Sequence, residues 1–368
     1  MKYMGSKRWM LQNGLGDLIA REVQGAERFV DLFAGSSAVS THVATKYNVP
    51  VVAYDLQTFS TVLSHAVLGR ESRVDAGCLW AKWYTRAIEL RKTHRPPSAL
   101  IVNRATVKEQ RRWCAEQPGS ITKSYGGYYF SALQATWLDA LRKTLPKTEP
   151  ERTVALAAMV CAASQCAASP GHTAQPFQPT RTAKPFLVDA WHRNVVDHCE
   201  GALSAISKQY AKKRGRAEVA DANEAAKSIA KGDLAFIDPP YSGVHYSRFY
   251  HVLETLARGQ CSEVSGEGRY PAPDERPRSR YSLKSESSMA LDDLFLAIAS
   301  RGGKAIVTFP QRGCSNGLSG KTVIALAAKH FKLEQHWVAS KFSTLGGNNT
   351  HRNARRSTRE LILVLRAP

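Results

Sequence analysis

The tetrad Asp238-Pro239-Pro240-Tyr241 follows the apolar run Leu234-Ala-Phe-Ile237, so an acid stands where a buried strand is expected to end. Open parallel sheets place their ligand crevice at such strand ends. Two prolines after the acid remove two backbone donors and fix φ, which leaves carbonyl oxygens able to point together into a pocket. An exocyclic amine has two N–H donors to satisfy, and the Asp238 carboxylate and the Pro239 carbonyl can accept one hydrogen bond each, with Tyr241 stacked on the ring. Such a site orients the nitrogen lone pair toward an electrophile, and its catalysis comes from positioning and electrostatics. A strand-terminating turn, capped by Asp238 and stiffened by proline, is the structural alternative.

A second constellation is Asp31-Leu-Phe33-Ala-Gly35-Ser-Ser37, which follows the apolar run from Arg28. Its glycine allows close backbone approach to a ligand, and the turn feeds a helix N-terminus. It lacks the GxGxxG pattern of a dinucleotide site, which counts against a nicotinamide enzyme. Asp55, roughly 20 residues beyond the glycine, ends the run Val51-Val-Ala-Tyr54, where an acid can accept hydrogen bonds from ribose hydroxyls or cap the next helix. Glycine turn and acid together point to an adenosine-containing cofactor.

Residues 28–55 therefore read as a β-α-β unit with its helix over 38–47. From 70 to about 230, Trp, Arg, Ala and Leu recur at helical spacing, interrupted by the proline-rich patch 170–185 and ending near Lys212-Lys-Arg-Gly-Arg216. Strands are predicted again over 234–238, 304–309 and 361–365, with a helix over 291–299. The segment 266–280 reads as an exposed, mobile loop. With 368 residues and no internal repeat, the chain is expected to form one α/β domain, 1–70 and 231–368, interrupted by a mainly helical insert over 71–230.

The 51 Lys and Arg against 31 Asp and Glu give a net charge of +20, which suits a polyanionic partner. No apolar run approaches the ~20 residues that span a bilayer, and the start lacks a secretory pattern, so a cytoplasmic protein without a membrane partner is expected. The seven cysteines contain no CxxC pair and read as buried free thiols, and no metal site is expected.

Taken in order, Tyr3-Met-Gly-Ser-Lys7, the Phe33-Ala-Gly-Ser turn, the Tyr54-Asp55 pair and Asp238-Pro-Pro-Tyr241 resemble the landmarks of Dam-like (class D12, α-group) DNA adenine-N6 methyltransferases. The resemblance covers the first 55 or so residues and a block from about Leu234. It implies a Rossmann-like fold with a mixed seven-stranded sheet that binds S-adenosylmethionine, and an insert that recognises the target sequence in double-stranded DNA. Tyr3, Gly5, Ser6 and Lys7 would lie near the methionine end of the cofactor. Asp31, Phe33 and Gly35 would line its pocket, Asp55 would hold its ribose, and Asp238, Pro239, Pro240 and Tyr241 would hold a flipped adenine beside the methyl group. The same motifs fit cytosine-N4 or RNA methylation, or an idle DNA-binding subunit with a protein partner in a restriction or phage-defence system.

Outside the landmarks, the aromatics of 125–130 and the 171–177 segment with His172 could contact bases or pack a core. The run Ser242 to Glu254 could help hold the flipped base, with helix-surface pairing as the alternative for His251 and Glu254. The basic connection 346–359 is expected to contact phosphates.

Overall fold

The computed structural model describes Gly5, residues 7–343 and residues 355–367. Its contacts divide into two compact units, one comprising Gly5–Glu71, Tyr210–Tyr246 and Pro277–Pro368, the other Ser72–Gln209 and Ser247–Arg276 together with the chain start.

The first unit is built on a sheet whose strands are β1 (Arg28–Asp31), β2 (Val51–Asp55), β3 (Arg216–Val219), β4 (Asp233–Ile237), β5 (Lys304–Pro310), β6 (Lys332–Ser343) and β7 (Arg355–Arg366), in the order β3-β2-β1-β4-β5-β7-β6. The first five run parallel, while β7 inserts antiparallel between β5 and β6, which makes the sheet mixed as expected. Apolar residues cover both faces. Val30, Val52, Ala235, Ile237, Val307 and Leu363 form part of one core with the Ser287–Ala299 helix. Phe29, Val51, Ala53, Phe236, Ile306 and Ile362 form part of the other with the helices Leu15–Glu22 and Ala38–Lys46. This is why β1, β2 and β4 read as continuous apolar runs rather than alternating ones.

Two strands were not anticipated. β3 is four residues long with mostly exposed side chains, so it carries no hydrophobic pattern, and the Lys212–Arg216 string that sequence assigns to the helical insert belongs to the sheet-bearing unit, with Arg216 opening β3. β6 alternates exposed and half-buried positions at a sheet edge, and its register against β7 defines it.

The second unit is helical. The buried, alanine-rich Glu151–Cys166 helix packs with Val195–Ser207, and the helices Arg104–Ala115 and Ala132–Lys143 each start in a capping box, Asn103 with Thr106 and Ser131 with Gln134. Tyr125, Tyr129 and Phe130 are fully buried in this unit, so these aromatics pack its core. His251 and Glu254 are buried as well, not paired on a helix surface as one alternative had it; His251 is ringed by Tyr125, Tyr129 and Tyr270. The 266–280 segment is not a free loop either. Ser265 and Tyr270 pair as a bridge, the Tyr270 hydroxyl donates to the Ala174 carbonyl at 2.5 Å, and Arg269 Nε donates to the Ser124 carbonyl at 2.9 Å.

All seven cysteines are free, but Cys114, Cys166 and Cys199 are buried whereas Cys78 is exposed and Cys161, Cys261 and Cys314 are half-buried. Scattered thiols follow the burial of whichever helix face they occupy. No helix among the described residues is long and apolar enough to cross a membrane.

Candidate active site

Chain order reverses between β1 and its neighbour β4: from β1 the sheet grows outward through β2 and β3, from β4 the other way through β5. Such a switch point opens a crevice at the carboxyl ends of the two strands. Asp31 is the last residue of β1, in register with Phe236 of β4, and Asp238 follows the end of β4. The two acids picked from sequence thus converge by strand pairing.

The β1 turn is held by side chains within it. Gly35 has φ of 50° and Ser37 of 61°, left-handed conformations that bring the chain sharply into the Ala38–Lys46 helix. The Gly35 N–H donates to Asp55 Oδ2 at 2.8 Å, and Asp55 Oδ1 accepts from the Gln57 N–H at 2.9 Å. Asp55 therefore ties the glycine turn to the end of β2; it does not cap the following helix, Thr58–Leu68, whose N-cap is Gln57. Asp31 is nearly fully buried and accepts from Ser40 Oγ at 2.5 Å and from the Phe33 N–H at 3.2 Å. Burial, with Asp238 and Asp55 nearby, pushes its pKa up to about 7 despite those hydrogen bonds. The Phe33 ring meets Tyr281 edge-on at 5.0 Å.

At the β4 end, Asp238 Oδ1 lies 3.0 Å from Lys7 Nζ and accepts from Thr308 Oγ1 on β5 at 2.9 Å. Lys7 Nζ also lies 3.2 Å from Glu360 Oε2 on β7. Lys7 is not a solvated surface charge: it is 4% exposed. Burial alone would lower its pKa, but the two carboxylates raise it, so the side chain is a fixed ammonium. Burial raises the Asp238 pKa, Lys7 draws it back and Glu360 adds to it. The second turn of the tetrad is braced from below. Buried Asn316 donates through Nδ2 to the Pro240 carbonyl at 2.8 Å and to the Tyr281 carbonyl at 2.9 Å.

Gly5 has φ of 75°, and a methyl group on its Cα would sit 2.4 Å from the Tyr241 hydroxyl. Only a glycine at position 5 allows this close approach to the Tyr241 hydroxyl. Lys7 Nζ stands 6.0 Å from that ring, and Tyr246 faces it edge-on at 6.5 Å.

Gly5, Lys7, Asp31, Phe33, Gly35, Asp55, Asp238, Pro239, Pro240 and Tyr241 all fall at the ends of β1, β2 and β4 or on the segment beside them, while Tyr3 and Ser6 lie outside the described residues. So does most of the basic connection 346–359. Glu360, Thr308 and Asn316 were missed. Glu360 heads the apolar run Leu361–Leu365, and an acid entering a buried strand is the signal that could have marked it.

The arrangement is an acidic crevice, three carboxylates at three strand ends answered by one buried lysine. Its donor and acceptor set fits a cationic, hydroxyl-bearing ligand.

Comparison with known proteins agrees with this geometry. The family model for the D12 class N6 adenine-specific DNA methyltransferases matches residues 3–84 and 152–298, more than half of the chain. The chain belongs to this family. It is the family that the sequence landmarks resemble. Among curated relatives, modification methylase LlaI of Lactococcus lactis subsp. lactis is 27% identical over 81% of this chain and 44% of its own length. Modification methylase StsI of Streptococcus sanguinis is 26% identical over 82% of this chain and 42% of its own. Type II methyltransferase M.FokI of Planomicrobium okeanokoites is 24% identical over 80% and 42%. The chain spans less than half the length of each of these relatives.

Proposed function

We propose that the protein transfers a methyl group from S-adenosylmethionine to the N6 amine of a flipped-out adenine in duplex DNA, as the modification methylase of a restriction–modification system. The observation that carries this is the convergence of Asp31, Asp55 and Asp238-Pro-Pro-Tyr241 at the β1/β4 switch point in a chain of this family. Burial first, and the neighbouring Asp238 and Asp55 after it, raise the Asp31 pKa, and a positively charged ligand would favour its ionised form.

In this reading Asp55 accepts the ribose hydroxyls, while Asp31, Phe33 and Gly35 line the donor pocket and Gly5 and Lys7 flank its methionine end, with Tyr3 and Ser6 assigned there by family resemblance. S-adenosylmethionine supplies an activated methyl group when bound. Asp238 and the Pro239 carbonyl accept the two amine hydrogens, and Tyr241 stacks on the base. Burial raises the Asp238 pKa and Lys7 draws it back, so the ion pair favours the carboxylate form that accepts hydrogen bonds. The amine is weakly basic and loses its proton as the methyl arrives, so Asp238 works by orientation and field more than as a strong base. A base inside a duplex cannot reach this crevice, so the target must leave the stack, with Lys and Arg holding the backbone. The helical Ser72–Gln209 unit is the natural reader of the flanking sequence.

The test is incubation with unmethylated duplex and methyl-labelled donor, then digestion to nucleosides and mass spectrometry. Labelled N6-methyldeoxyadenosine is expected. Label in N4-methyldeoxycytidine would move the target, and no label in any nucleoside would sink the reading. Asp238→Ala should abolish transfer while leaving donor binding partly intact.

A further inference from the structure

The family model skips residues 85–151, and the Arg104–Ala115 helix lies wholly inside that gap. One face of this helix carries Arg104, Lys108 and Arg111, spaced by four and three residues so that their side chains stand in a row. With Val107 and the Gln178-Pro179-Thr180 strap they line a concave pocket of about 360 Å³, with no acid in its wall. That volume falls in the range of sites that take a small organic group.

Arg111 forms a rigid back wall. Its Nε donates to the Gly127 carbonyl at 3.0 Å, one terminal nitrogen donates to Gln178 Oε1 at 2.9 Å, and its guanidinium stacks 4.2 Å from the Tyr128 ring. A second guanidinium, that of Arg269, stacks on the same ring at 4.6 Å. Arg104 and Lys108 are exposed at the mouth, and neither forms an ion pair with a described residue. Two cations are thus held against one aromatic ring while two more stand exposed beside them.

We propose that this pocket is a docking site for a backbone phosphate of the DNA duplex, on a helix that the family model does not match. The inference rests on the reading of the protein as a DNA methyltransferase, and it adds the contact that seats the duplex. Arg111 supplies a fixed, partly desolvated charge; Arg104, Lys108 and Thr180 supply mobile donors to the phosphate oxygens. The net charge of +20 favours the same polyanion.

The test compares the full chain with Arg104→Ala/Lys108→Ala, and with Arg112→Ala/Lys82→Ala as a control that removes the same charge from exposed positions outside the pocket. Binding of a labelled duplex is followed by anisotropy across a salt series, and donor binding by calorimetry. The pocket variant should weaken duplex binding most at low salt and lower the slope of log affinity against log salt by about two, one for each lost phosphate contact. Donor binding and melting temperature should stay those of the unmodified chain. An unchanged slope, or an equal loss in the control, overturns the proposal, and so does RNA bound more tightly than duplex DNA through the same residues. Failure of the functional reading shows separately, as unmodified protein that binds duplex but labels no adenine.

Discussion

Lys7 is the residue on which the electrostatics of the crevice turn, because one ammonium answers both Asp238 and Glu360. Removing one member of a buried charged set leaves the others unpaired, which costs roughly 3–5 kcal/mol. Lys7→Met should therefore destabilise the fold and raise the Asp238 pKa further, moving the acidic limb of the pH–rate profile to higher pH. A profile that stays in place would mean that Asp238 does not need its ion pair. Glu360→Gln keeps the shape but leaves Lys7 to Asp238 alone. It should lower the Asp238 pKa and shift the same limb the other way, and Glu360→Asp should restore part of the original profile. Asp31 makes a different prediction. Its folded pKa of about 7 lies above the ordinary carboxyl value of 3.8, so between those values the native state holds a proton that the unfolded chain has released, and stability falls as pH rises through that window. Asp31→Asn should flatten this fall, read as a melting-temperature difference that grows from pH 4 to about 7 and then levels. A cationic methyl donor favours the ionised form of Asp31, so donor affinity should climb over the same interval.

At the scale of elements, strand ends and one glycine do the positioning. β4 stops because Pro239 and Pro240 cannot donate to a neighbouring strand, and Asn316 then fixes where the Pro240 carbonyl sits. Gly5 sits against the Tyr241 hydroxyl because it has no side chain there and tolerates its positive φ. Gly5→Ala should reduce methyl transfer at least tenfold by pushing Tyr241 out of place. Adding Tyr241→Phe removes the hydroxyl that the new methyl group meets, so the double variant should be less impaired than the two single effects combined predict. Additive losses would show that the close approach does not matter.

For the molecule as a whole, the basic charge and the family point to a polyanionic substrate of large footprint. Affinity for duplex DNA should fall steeply with salt, as expected when several phosphates are neutralised. A flat salt dependence would contradict a role for the surface charge. The chain covers less than half the length of each curated relative, and association with a second copy is a separate question. Size-exclusion chromatography with and without duplex addresses it directly.

Short-range chemistry was legible in the residues themselves. Asp238-Pro-Pro-Tyr241, the Gly35 turn and Asp55 could be read because each is a local device: an acid at a strand end, a glycine at a sharp turn, prolines that stop a ladder. The α/β class and the helical insert followed from apolar runs buried on two faces and from helical periodicity, while the mixed sheet of seven strands was legible only through the family resemblance. Glu360 lies 353 residues from Lys7, and β7 must first run antiparallel beside β5 before the two can meet. β3 and the ordered 266–280 segment likewise take their form from partners far along the chain. Tertiary structure alone decided these, because pairing between distant segments leaves no periodic or compositional trace in either one.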